Sequence, residues 1–346
     1  MRRKVVALLL LSTMSASLLA GCSGSSSEKA VSGSEVKELK QALAELEANE
    51  DYLVQTLMEA PDGNATYLEV IHNGGSYTEM PVDSDGKITD TLITDEENTG
   101  NYALVDWLKN DGTMYMTYTD ESGNAGYYSL PKEYGKEMLS RNSGYFEDMV
   151  DHFTSVEKQK DTVTGDLGDG EEEFTMYECT LPNEYVKEIL GASTYGLYSV
   201  YAEDKDTDEN VKQLCEYYLE DLDMSLTFSD AKVTVAVADG NLRQVVLETG
   251  GLGTKMYVTK TFLMNSEYDL REEPDFSKAS DYTDSMKELA DFVADYDSYE
   301  EAMAALNSED GTTSEGTEAT EEGATAEEGS ETEASESSTE ETTATE

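Results

Sequence analysis

Histidine is almost missing from this chain of 346 residues. Only His72 and His152 occur, far apart and with no Cys or His at ligand spacing, which sets aside a zinc centre. No Gly-x-Ser-x-Gly stretch exposes a nucleophilic serine. Gly250-Gly251-Leu252-Gly253 precedes Thr254-Lys255, but the Gly-Lys-Thr order of a phosphate loop is absent, so the glycines read as a hairpin turn. Basic residues are scarce, with 23 Lys plus Arg against 75 Asp plus Glu and a formal net charge of −52. Nucleic acid and anionic headgroups both require a positive footprint, so no nucleic acid partner is expected. Carboxylates are so numerous that no pair stands out as acid and base. The expectation is a protein that is not an enzyme and carries no metal and no cofactor.

Long apolar runs are missing too, with one exception. Val5 to Ala20 is apolar, follows Arg2-Arg3-Lys4 and closes on Leu19-Ala20-Gly21-Cys22. A basic start, a short apolar core and small residues before a cut describe an export signal rather than a spanning helix. These four closing residues resemble the lipobox of the bacterial lipoprotein signal family. That resemblance implies cleavage between Gly21 and Cys22, and transfer of a diacylglycerol, with its palmitate-type chains, to the Cys22 sulfur. The mature protein would then be lipid-anchored on the extracytoplasmic face of the cell membrane, since two chains hold stably where one does not. No later segment approaches the roughly 18 apolar residues of a membrane span.

Cysteine is the third scarcity: three in all. With Cys22 lipidated, Cys179 and Cys215 either pair in an oxidising compartment or stand as separate buried thiols.

Composition divides the chain into an export signal (1–21), a small, polar tether (22–33), one body (34–307) and an acidic tail (308–346). The tail has Ala as its only apolar residue type and holds no Lys or Arg, so it cannot offset its ordering entropy and is expected to be disordered. In the body, Val36, Leu39, Leu43, Leu46, Leu53 and Leu57 follow three-and-four spacing, which predicts a helix from an N-cap at Ser34 towards Pro61, with a break near Asn49-Glu50. Strands are expected at 66–72, 76–82, 102–109, 113–119 and 126–130, with a tight hairpin at Asp111-Gly112. Helical character covers 132–153, interrupted at 141–144. A hairpin over 155–181, a short helix over 184–190 and a longer one from Asp208 or Glu209 to Leu222 follow. A meander of 224–238, 242–249 and 254–268 precedes a final helix through Tyr282, Met286, Leu289, Val293 and Tyr296, which restarts at the capping box Ser298-Tyr-Glu-Glu301. Asp204-Lys-Asp206-Thr-Asp208 opens like a calcium loop, yet Glu209 and Cys215 stand where an EF-hand needs Gly and Glu. It reads as a loop capping the next helix.

Asn110-Asp-Gly-Thr-Met-Tyr-Met with Tyr127-Tyr128-Ser-Leu-Pro131, then Tyr177-Glu-Cys-Thr-Leu-Pro182, then Val233 to Thr249 carry a second resemblance. In this order of elements the chain resembles the LolA-like half-barrel lipoproteins, a superfamily that includes mycobacterial lipid-carrying lipoproteins. The resemblance implies an α+β fold: a curved antiparallel sheet with helices packed on one face, around an apolar cavity. It supplies no catalytic residue. The expected function is non-catalytic binding of an apolar, lipid-like ligand or of an envelope protein partner, with a structural envelope lipoprotein lacking any cavity as the alternative. Met114, Met116 and Tyr118 alternate on one strand face, and they are the candidate ligand residues, because methionine adapts to irregular apolar shapes. The alternative is that the same face is solid core under the N-terminal helix.

Overall fold

The computed structural model describes residues 33–60, 63–82, 102–119, 125–141, 144–225, 228–251, 254–264, 268–296, 298–299, 301–302 and 304–305. The export signal with Gly21 and Cys22, all but the last residue of the tether, and the acidic tail lie outside the described residues.

The chain opens with helix α1 (Ser34–Glu47) and continues into strands β1 (Asp51–Ala60), β2 (Gly63–His72), β3 (Gly75–Pro81), β4 (Tyr102–Leu108), β5 (Met114–Thr119) and β6 (Ala125–Ser129). Helices α2 (Lys132–Arg141) and α3 (Gly144–His152) come next, then β7 (Ser155–Lys158), β8 (Val163–Asp166) and β9 (Glu171–Leu181). Helices α4 (Asn183–Glu203) and α5 (Glu209–Ser225) lead to β10 (Ala231–Ala238), β11 (Asn241–Gly251) and β12 (Thr254–Leu263). A short 3₁₀ turn (Phe276–Lys278), β13 (Ser280–Asp281) and α6 (Tyr282–Val293) complete it. One curved sheet holds these strands in the order β13-β6-β5-β4-β3-β2-β1-β12-β11-β10-β9-β7, with β8 also on β9. Every pairing is antiparallel except the short parallel contact of β13 with β6. Register shifts at Ala236/Val237 and at Thr78/Glu79 add local bending. The expected α+β class, with a curved sheet and helices on one face, is what the chain adopts.

The N-terminal helix is shorter than its periodicity predicts. It stops at Glu47, where the Asn49 side chain donates to the carbonyls of Glu45 and Leu46 at 2.9 and 3.2 Å, and Leu53 and Leu57 belong to β1 instead. A four-residue spacing returns to the same side in a strand as well as in a helix, so the leucine pattern could not tell the two apart. Gly33, not Ser34, is the N-cap, and no side chain caps that end. Two other boundaries move. Helix α4 runs thirteen residues past Leu190 to Glu203, and Met224 lies in the last turn of α5 rather than beginning a strand.

Where the strand signals are strongest the match is close. Gly112 takes φ +81° in the β4–β5 turn, Thr113 N–H donates to Asp111 Oδ1 at 2.9 Å, and Leu108 pairs with Met114. Asp281 caps α6 by accepting from Thr283 N–H at 2.8 Å, and Ser298 Oγ accepts from Glu301 N–H at 3.1 Å as the capping box requires.

Two apolar clusters lie between the sheet and the helices. The first joins α1, α3 and the start of α4 (Tyr185, Val186, Ile189) to Tyr52, Val54, Val233, Val245, Val258 and Phe262. The second joins α5, α6 and the end of α4 (Tyr198, Tyr201) to Leu108, Met114, Met116 and Tyr128. The opposite face is closed in its centre by Leu53, Leu68, Val70, Tyr77 and Leu263, with Tyr268 and Trp107 packed against them.

Candidate functional site

Strand registers show what lies between the two apolar clusters. Paired residues share a face, so the helix side carries one continuous row across seven strands: Phe262–Val54–Glu69–Thr78–Asp106–Met116–Tyr128. Both ends are apolar and belong to the clusters, while the centre is acid, hydroxyl, acid. One row further along, Lys260 pairs with Thr56 and brings an ammonium to the edge of the same region. Of the apolar cluster residues, β2 contributes only Ile71 and β3 none. The middle of this face is therefore a polar trough one row wide, bounded on β2 by the buried Tyr67 and Ile71.

Helix α4 spans it. At 21 residues it is about 31 Å long, and it packs into the first cluster by its start and into the second by its end. Between Leu190 and Leu197 its sequence, Gly-Ala-Ser-Thr-Tyr-Gly, is rich in small residues.

The three ionisable groups of this region are withdrawn from bulk water. Glu69 and Lys260 keep some accessible surface, yet removal from bulk water is the leading influence on both. Burial raises the Glu69 carboxyl, and the Lys260 charge and a Ser76 hydrogen bond partly counter it. Burial lowers the Lys260 ammonium to about 8, with Glu69 pulling the other way. Asp106 is 5% exposed, and its carboxyl is pushed up to about 7, by burial first and then by Glu69, although the Thr78 hydroxyl and N–H both donate to it.

A cleft of about 500 Å³ opens one row away from Glu69. Tyr52, Ile71 and Leu139 line it together with Glu47, Asn49, Glu50 and the Asn73-Gly74 turn. Tyr52 and Ile71 stand two residues along β1 and β2 from Val54 and Glu69, and none of Glu69, Thr78, Asp106 and Lys260 is among the residues that line the cleft. The size is that of ordinary small-molecule sites.

The residues singled out by sequence fall elsewhere. Met114 and Met116 are 3% and 7% exposed, and Tyr118 is half-buried with its ring tilted on Tyr128 at 4.4 Å. All three belong to the second cluster, with α2, α5 and α6 rather than with the N-terminal helix. Asp106, the partner of Met116, is the nearest of the trough residues to them. Cys179 and Cys215 are not paired. Both are free buried thiols, one on β9 in the first cluster and one on α5 in the second. Packing needs of two separate cores hold them apart. His72 binds Asp51 through Nδ1 at 2.5 Å, and His152 stacks on Tyr185 at 3.6 Å, so neither reaches the trough. Asp204 and Asp208 accept from the backbone N–H groups of Asp206 and Asn210, each at 3.0 Å, as local caps.

No family model matches the chain, and no curated protein matches it in sequence. Among solved structures it is similar to LprF from Mycobacterium bovis at 10% identity and TM-score 0.36, over 71% of this chain and 99% of that one. It is similar also to a DUF1329 family protein from Desulfovibrio piger ATCC 29098 at 12% identity and TM-score 0.18, over 71% and 98%. Likenesses this distant carry no argument about function, which rests on the trough and the cleft.

Sequence reasoning missed Glu69, Asp106 and Lys260. The signal was present as a charged residue inside an otherwise apolar strand: Tyr-Leu-Glu69-Val-Ile and Leu-Val-Asp106-Trp-Leu. An acid flanked on both sides by core residues cannot reach bulk water by choosing a face.

Proposed function

We propose that this protein is an extracytoplasmic lipoprotein, anchored by lipid on Cys22, that binds an amphipathic ligand between its sheet and α4 and performs no chemistry on it. The observation that carries this reading is the acid–hydroxyl–acid row set between the two apolar clusters that α4 joins. Buried polar groups are costly unless paired, and a chain that needed only stability would fill these three central positions with valine or leucine.

Native mass spectrometry of the body from Ser34 to Asn307 tests it. Protein purified from bacterial cells, or incubated with envelope lipids and re-isolated, is expected to carry a bound mass in one-to-one ratio. An apo mass alone under both conditions would replace the binding reading with that of a structural envelope lipoprotein.

A further inference from the structure

The cleft beside the Asn73-Gly74 turn is lined by polar side chains that accept hydrogen bonds, and by none that carries a positive charge. Glu47 and Glu50 bring two exposed carboxylates to it, and among the described residues neither is paired. Asn49 spends its amide nitrogen on the carbonyls of Glu45 and Leu46, and Asn73 spends its own on His72 Nε2 at 2.5 Å. The amide oxygens are what remain for a ligand. Glu47 also closes α1, whose last turn holds no base, so a carboxylate stands where the helix dipole calls for a cation. A second and separate sign of a ligand is Tyr52. It is 7% exposed, lines the cleft, and its hydroxyl meets no hydrogen-bond partner among the described residues. A phenol so far withdrawn from water ordinarily has one.

We infer that the cleft takes a small organic cation, its ammonium or guanidinium head among Glu47, Glu50 and the Tyr52 hydroxyl and its short apolar stem against Ile71 and Leu139. Such heads have donors and no acceptor, the complement of this lining, and their charge-assisted bonds to carboxylates are stronger than neutral ones. Burial, Glu69 and Glu47, in that order, raise the Tyr52 phenol, so it meets the ligand as a neutral hydroxyl. Ile71 is 8% exposed and pairs with Tyr52 across β1 and β2, which gives the stem a fixed apolar floor. A bare metal ion is a poorer occupant. Calcium takes roughly six or more oxygens, and no group of three potential ligands converges among the described residues. Anions are repelled by the two carboxylates and by the net charge of −52. No trough residue lines the cleft, so this site is independent of the ligand proposed above.

Pentylamine, pentanol and the ammonium ion separate the head from the stem. Titrated by calorimetry into the full-length protein in an uncharged detergent, at about 150 mM salt to screen loose surface binding, pentylamine is expected to bind one to one. It is expected to bind about tenfold tighter than either of the others, the factor that one hydrogen bond to a charged group supplies. Glu47→Gln/Glu50→Gln is expected to remove the margin over pentanol, and Tyr52→Phe to cut it about threefold. Glu216→Gln/Glu220→Gln, an equal change of charge at exposed positions on α5, is expected to leave it intact, which separates the cleft from the acidic surface at large. Pentanol that binds as tightly as pentylamine, a margin that survives in full in either cleft variant, or a margin lost equally in the α5 variant overturns the assignment. So does an absence of pentylamine binding, and none of these outcomes touches the trough.

Discussion

Glu69 faces Asp106 across one intervening strand, and its charge is second only to burial in holding the Asp106 proton to about pH 7. A carboxyl whose folded pKa lies above its unfolded value, near 3.8, favours folding less as pH rises, because the folded state keeps a proton that the unfolded state has released. The cost begins near pH 4 and is complete above pH 7. Asp106→Asn is therefore expected to raise stability at pH 8 by about 2–3 kcal/mol relative to its effect at pH 5. Urea unfolding of both proteins at the two pH values checks this, and a difference independent of pH would mean that Asp106 titrates normally.

How much could be read from the sequence depends on which periodicity carried the signal. The hairpin at Asp111-Gly112 was legible because its turn requires positive φ and its flanks alternate. The β1 strand was not, because Leu46, Leu53 and Leu57 satisfy helical spacing, and because β1 is buried on both faces and so shows no alternation. The trough was hidden for a related reason. Glu69 shares its parity with Tyr67 and Ile71, but Leu68 and Val70 are equally buried on the other side, so the alternation does not announce that Glu69 lies on the helix side. The resemblance directs attention to the layer between sheet and helices, where the proposed site lies. The choice of methionines then favoured apolar residues that turn out to be packing.

On the opposite face, Glu79 is 1% exposed and is held by Arg271 and by the Tyr268 hydroxyl. Arg271 also donates through its guanidinium to the Tyr102 carbonyl at 2.8 Å, so the segment after β12 is strapped back across β3 and β4. Removing one partner leaves a buried charge. Arg271→Met is expected to cost about 2–4 kcal/mol, and Glu79→Leu in the same chain is expected to restore most of it. A double variant no more stable than the single one would show that the strap is held by its aromatic packing.

Gly135 lies in α2, where alanine normally gains close to 1 kcal/mol in helix propensity. Here a Cβ would stand 2.1 Å from the Gly112 carbonyl oxygen, a backbone atom fixed by the hairpin. The clash outweighs the propensity, because overpacking against an immovable group costs about 1–3 kcal/mol and more at such separations. Gly135→Ala is expected to lower the melting temperature by several degrees. An unchanged or raised value would show that α2 can slide off the turn at little cost.

The thiols of Cys179 and Cys215 are each pushed up to about 12, chiefly by burial, and the thiolate is the reactive form. Against a body starting at Ser34, a thiol-disulfide reagent at pH 8 is expected to find no reactive thiol in the native state and two after denaturation. Reaction of none after denaturation would reveal a bond between them.

Cys22 decides where the binding reading applies. If the Leu19-Ala20-Gly21-Cys22 stretch directs lipid transfer, the thiol is needed both to receive diacylglycerol and to license the cleavage that follows. Cys22→Ala in the full chain is then expected to leave an uncleaved, unlipidated precursor, while the body folds as before because it begins after the tether. Cells fed labelled palmitate and fractionated with detergent separate the two events. The wild-type protein should carry label and enter the detergent phase, and the variant should do neither. Label on the Cys22→Ala protein would place the acyl group elsewhere, and an unlabelled wild-type protein released into the medium would make the same ligand site part of a secreted, diffusible carrier.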